Sequence, residues 1–156
     1  MTPKLVVIDT QSLFDWLLFR NPACTRWSSV LSDGSWQWIF TSPMRDEFMH
    51  VAGKGFGERW TVRPAELAAA WSAHGRAVAI PDELGADRRL RCSDPDDQKF
   101  IDLAIAAGAH TLVSRDKALL RLSRKALDRH GLLIRAPLAW RTEDDPPEIP
   151  LRSPAA

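Results

Sequence analysis

No tyrosine occurs among the 156 residues, only two are cysteine, and no apolar run approaches the length of a membrane span. Each absence removes a class of protein. Cys24 and Cys92 lie far apart, and neither belongs to a Cys-x-x-Cys pair or a Cys/His cluster. That argues against a disulfide framework and a structural zinc site, and suits a reduced, cytoplasmic protein. The N-terminal apolar run, Leu5 to Ile8, is four residues long and meets an aspartate at once. It reads as a buried strand, neither a signal peptide nor a membrane helix, and no membrane partner is expected. Charge of one sign is also lacking: 21 basic and 20 acidic residues leave a formal +1. A nucleic-acid partner must therefore be met by a local patch. The glycines of Gly53-Lys54-Gly55-Phe56-Gly57 have neither the spacing nor the Lys-Ser/Thr ending of a phosphate-cradling loop, and no internal repeat is visible.

What is present describes one globular domain. Hydrophobic residues make up 45% and charged residues 26%, enough for a single core. Seven tryptophans are unusual without tyrosine, and burial is the expected fate of most of those at 27, 36, 38, 60 and 71. Strands are expected at 4–8, 36–41, 77–80, 111–113 and 132–134. Helices are expected at 12–19, through 44–52, at 64–74, from Asp94 to Gly108, and at 117–129. Thr10 or Ser12 is available to cap the first helix, Thr41-Ser42-Pro43 supplies a hydroxyl cap for the second with proline at the first helical position, and Asp94 caps the fourth, which has Pro95 in its first turn. Strands alternating with helices imply βαβ units, hence an α/β fold with a mainly parallel sheet. The domain is expected to occupy residues 1–140, with a proline-rich, acidic tail at 141–156.

In such sheets, sites form beyond the carboxyl ends of the strands. Asp9 ends the first strand, and Asp116 stands three residues past Val113. Either could simply cap the helix that follows it. Among Asp94, Asp96 and Asp97, helix phase puts Asp97 nearest the buried stripe of Phe100, Leu103, Ala104 and Ala107. The same test turns Glu47 inward with Met44 and Val51, and Asp46 outward with His50. Four carboxylates without histidine or cysteine make an oxygen-only site of the kind that selects Mg²⁺ or Mn²⁺, and such sites serve phosphoryl chemistry.

The segments VVIDTQSL, TSPMRDEF, DPDDQKFIDLA and TLVSRDKALL occur in this order over residues 4 to 122. Together they resemble the PIN-domain family. The resemblance implies a three-layer α/β/α sandwich, Mg²⁺- or Mn²⁺-dependent cleavage of RNA, and frequent homodimers. Many members of that family are toxins of type II toxin–antitoxin pairs, which would make an antitoxin protein a second partner. Carried over, Asp9, Glu47, Asp97 and Asp116 are the catalytic and metal-holding acids, with Thr10 and Ser114 as supporting hydroxyls. Gln11 and Gln98 depart from the pattern, since asparagine is usual at both places; the first normally steadies the leading acid.

Arg115 and Lys117 flank Asp116 and are the candidate phosphate contacts, whereas Arg121, Arg124 and their neighbours read as the wet face of a helix. Two other readings stay open. A haloacid-dehalogenase-like phosphatase also begins with a strand and an aspartate, but needs a second acid where Gln11 stands. A PIN-fold module that binds RNA or an antitoxin without cutting is the alternative that Gln11 leaves.

Overall fold

The computed structural model describes residues 2–142. Five parallel strands form one sheet: β1 (Lys4–Ile8), β2 (Trp36–Phe40), β3 (Gly75–Ala77), β4 (Thr111–Val113) and β5 (Leu133–Arg135), in the order β3-β2-β1-β4-β5. Val6, Val7 and Ile8 are fully buried because β1 is central and covered on both faces. The chain builds outward from β1 to β2 and β3, then returns to the other side of β1 for β4 and β5. Right-handed crossovers therefore lay α1 (Thr10–Leu17), α2 (Trp27–Ser32), α3 (Ser42–Gly53) and α4 (Pro64–His74) on one face. They lay α5 (Gln98–Ala106), α6 (Lys117–Leu120) and α7 (Ser123–His130) on the other. This is the α/β/α sandwich that the resemblance implies, around the parallel sheet that the alternation implies. The order of winding reverses between β1 and β4, so a crevice opens at their carboxyl ends.

Several local expectations need correction. Helix α2 had no sequence signal; buried Trp27 anchors it, with its ring against Trp140 and Trp16. The third strand lies at Gly75–Ala77, earlier than 77–80, and Ile80 is exposed. Gly75 permits this: a Cβ there would stand 2.7 Å from a Phe40 ring carbon and 2.8 Å from Trp38. The helix expected at 117–129 is two helices, because Leu122 N–H turns to the Leu119 carbonyl and the Ser123 hydroxyl takes that of Leu120. Thr41 begins α3 without a side-chain capping bond.

Six of the seven tryptophans are buried and Trp60 is half-buried, as expected of core anchors. Both cysteines are free and buried, and burial pushes the Cys24 thiol up to about 12. Among the described residues no helix is long and apolar enough to cross a membrane. Most of the expected tail lies outside the described residues. Thr142, where description ends, is buried, and its carbonyl accepts from the Trp36 indole at 2.9 Å.

Candidate metal centre

Asp9 leaves β1 and becomes the N-cap of α1, so the cap is Asp9 and neither Thr10 nor Ser12. Its Oδ1 accepts from the Ser12 amide at 2.9 Å, and its Oδ2 accepts from the Ser114 hydroxyl. Only 3% of Asp9 is exposed. Burial raises its pKa; the bonds from Ser114 and Ser12 oppose that rise, and the charge of Asp116 adds to it.

Ser114, fully buried at the end of β4, also accepts from the Asp116 amide at 3.0 Å. One hydroxyl thus ties the two strand ends that flank the switch point. Asp116 in turn caps α6, its Oδ1 accepting from the Ala118 amide at 2.8 Å. Both aspartates are caps, and both also line the cleft. The two readings open for each residue are compatible, because a helix N-terminus favours a carboxylate whether or not a cation faces it.

The third contribution comes from the 3₁₀ turn Pro95–Asp97 that precedes α5. Asp94 caps this turn, with its Oδ1 accepting from the Asp96 amide at 3.0 Å. Carboxylate oxygens of Asp94, Asp97 and Asp116 all lie within 4.8 Å of one another. Asp97 Oδ2 is shielded from solvent and has no hydrogen-bond partner. Burial first, then the charges of Asp116, Asp94 and Asp9, push the Asp97 carboxyl up to about 7. Like charges at this density favour a proton or a divalent cation among them.

Glu47 projects from α3 into the same cleft, while Asp46 is exposed, as helix phase requires. Its oxygens are already engaged: Oε1 accepts from the Thr10 hydroxyl at 3.2 Å, and Oε2 accepts from the Lys99 ammonium. Lys99 Nζ also donates to the Asp96 carbonyl at 2.8 Å. Thr10 therefore supports Glu47, whereas Ser114 supports Asp9 and Asp116.

The cleft encloses about 340 Å³. One part of its lining is carboxylate, from Asp9, Glu47, Asp96, Asp97 and Asp116; another is apolar, from Phe14, Val51, Phe56 and Phe100. Arg115 stands in the lining with its guanidinium braced on buried Asp15, Nε to Oδ2 at 2.9 Å and Nη2 to Oδ1 at 3.1 Å. Lys117 is exposed at the start of α6.

A family model for the PIN domain matches residues 5–118. The chain belongs to the PIN-domain family. No curated protein matches it, and no solved structure does. The PIN domain is a nuclease-type fold, and its carboxyl-end crevice here holds all four acids marked in the sequence.

The grouping differs from the expected quartet. Asp97 and Asp116 converge with Asp94, which the sequence marks as a cap; Asp94 caps the turn through Oδ1 and also offers a carboxylate oxygen to the cluster. Asp9 adjoins this group through Ser114 and Asp116, and Glu47 stands apart with Lys99. Gln11 and Gln98, the two departures from the family pattern, also have definite roles. Gln11 Nε2 approaches Asp15 Oδ1 at 3.4 Å and leaves Asp9 to Ser12 and Ser114. Gln98 accepts from the Cys92 amide at 2.8 Å and donates to the Leu90 carbonyl at 2.9 Å and to Asp102 at 2.8 Å. It fastens the segment that leads into the acidic turn onto α5.

Proposed function

We propose that the chain is a metal-dependent endoribonuclease that hydrolyses phosphodiester bonds with Mg²⁺ or Mn²⁺ at Asp97, Asp116 and Asp94, beside Asp9. One observation carries the reading. An oxygen-only group converges at the switch point of the sheet, and one of its oxygens, Asp97 Oδ2, is shielded without a partner. Hard oxygen donors suit these ions, and a cation is what an orphaned carboxylate oxygen lacks. A bound divalent ion supplies an activated water and polarises the phosphate.

The chain's own residues supply the rest. Ser114 and the Ser12 amide fix the Asp9 carboxylate in one orientation, so little rearrangement attends binding. Arg115, held by Asp15 and 55% exposed, keeps three further N–H donors for a substrate phosphate. Lys117, exposed at the start of α6, supplies a second charge. The apolar lining of Phe14, Val51, Phe56 and Phe100 suits an unpaired base, which favours single-stranded RNA over a duplex.

The position of Gln11 weakens both alternatives. It does not displace Asp9 from its hydrogen bonds, so the departure from asparagine gives no reason for lost activity. It also leaves a phosphatase without its second acid. A toxin role, with an antitoxin protein and a homodimeric chain, is the biological setting the family suggests.

The test is cleavage of a single-stranded RNA by the purified protein in Mg²⁺ or Mn²⁺. EDTA should stop it, and Asp9→Asn and Asp97→Asn should each lower the rate by at least about 100-fold, the scale of one lost electrostatic partner at a reaction centre. Undiminished cleavage by Asp9→Asn would mark a contaminant and end the enzyme reading. Growth arrest on expression, relieved by co-expression of a neighbouring reading frame, tests the toxin role separately.

A further inference from the structure

The four acids of the family pattern are not electrostatically equivalent. Glu47 shares with Asp9 two features that set both apart from Asp94, Asp97 and Asp116, and adds one of its own, a cation of the chain on its carboxylate. Its oxygens do not join the group in which Asp94, Asp97 and Asp116 converge. Both of them are taken by donors from the chain itself, Thr10 on Oε1 and Lys99 on Oε2. The lysine is also held in place: its ammonium donates to the Asp96 carbonyl at 2.8 Å and stands 5.1 Å from the Phe100 ring centroid. The side chains of Lys99 and Glu47 are 31% and 40% exposed, so the pair lies at the edge of the cleft and is not sealed in the core.

Lys99 is the second residue of α5, the helix that the acidic turn opens, and Glu47 comes from α3 on the opposite face of the sheet. The pair bridges the crevice between the two helical layers. A lysine ammonium is a compact charge on a flexible stem, and against a carboxylate and a carbonyl it fills the position a small cation would take.

We propose that Lys99 is the built-in second cation of this cleft: Glu47 is held as its counter-ion and is not a metal ligand, so the chain binds a single divalent ion, at the Asp94–Asp97–Asp116 end. The inference rests on the metal reading of the cleft and adds its stoichiometry. It makes Lys99 a positioning residue, which fixes Glu47 and sets positive charge opposite the ion across the cleft. A phosphate lying between them would meet cations on two sides with only one metal bound.

Calorimetric titration of the RNA-free protein with Mn²⁺ tests this, with folding of each variant checked by thermal unfolding. The wild type should bind one ion per chain. Glu47→Gln should still bind one, with affinity changed by less than about tenfold, below the roughly 10- to 100-fold that even outer partners of a bound metal cost when removed. Lys99→Met should expose Glu47 and admit a second ion, and Lys99→Arg should restore a stoichiometry of one. Two ions in the wild type, or loss of the ion in Glu47→Gln, would overturn the assignment of Glu47 to Lys99. A wild type that binds no ion would instead overturn the metal reading beneath it. Lys99→Met remaining at one ion would show that Glu47 has no capacity for a cation other than the lysine, and would end the claim that the ammonium occupies a cation position.

Discussion

The two ends of the sheet are built from opposite materials. At the carboxyl end, beyond Ile8 and Val113, the chain gathers carboxylates, and burial first, then the charge of neighbouring acids, raises the proton affinity of Asp9 and Asp97. At the amino end, around Trp36 and His110, it gathers rings. Trp36 meets His110 edge-on with centroids 5.0 Å apart and Trp140 at 5.2 Å, and Trp140 meets Trp27 at 5.1 Å. One end stabilises the fold by apolar burial, and the other spends stability on crowded charge. Both keep buried polar atoms without partners, Asp97 Oδ2 at one end and His110 Nε2 at the other. Only the first stands among like charges that a cation can relieve.

The largest expected effect belongs to the aromatic end. Trp36→Ala removes a ring that is 2% exposed and the indole bond to Thr142, and should destabilise the protein by about 3–5 kcal/mol in denaturant unfolding. Cleavage per folded molecule should be unchanged; a comparable loss of specific activity would mean that the two ends are not separable. Ser114→Ala acts at the other end. It deletes the hydroxyl that ties Asp9 to Asp116 and should weaken Mn²⁺ binding roughly 10- to 100-fold, read by titration. An unchanged affinity would show that the aspartates orient themselves.

Acidity separates the ends by sign. Asp97 is shifted from an ordinary 3.8 up to about 7, so between these values the folded metal-free chain holds a proton that the unfolded chain has released. Stability from this group is therefore greatest at low pH and falls as pH rises towards 7. His110 is shifted below its ordinary 6.5, by burial first and then by Lys4, so it is neutral in the fold where the unfolded chain would be protonated. Its contribution is present above 6.5 and fades as pH falls. Thermal unfolding of the metal-free protein across pH 4–8 should show the falling limb shrink in Asp97→Asn, with Asp9, raised in the same direction, keeping a part of it and the acid-side loss retained. Saturating Mn²⁺ should invert the Asp97 limb, since binding requires the ionised carboxylate. A flat profile in the parent protein would remove the contrast.

The smallest effect is expected at Gln11. Its side chain is exposed and its one bond, to Asp15, is long, so Gln11→Asn should change stability by no more than about 0.5 kcal/mol and leave the cleavage rate unaltered. A marked gain in rate would restore the idea that glutamine impairs this site.

How much of this was legible depended on whether a residue's fate was set by its neighbours in sequence. The β1 run, the Asp94 cap, the inward turn of Glu47 and the stop at Gly131, with φ 62°, all follow from local pattern. Helix α2 did not, because a six-residue helix held by one buried tryptophan has no periodicity to read. The early start of β3 did not either, since it depends on Gly75 passing the rings of Trp38 and Phe40 from another strand. In the site, the positions of Asp9 and Asp116 were readable from strand ends. The inclusion of Asp94 was not, and neither was the pairing of Arg115 with Asp15, 100 residues away.

By itself the sequence determined the alternation of elements, the parallel sheet, and therefore the edge at which acids would collect. It did so because strand and helix periods and caps are local, and a crossover between parallel strands has one favoured hand. Tertiary structure alone decided which acids converge and which are neutralised from within. Coulomb interaction depends on distances of a few ångströms, and those are set by packing between segments remote in sequence. The meeting of Glu47 with Lys99 across two layers, 52 residues apart, is a contact of that kind.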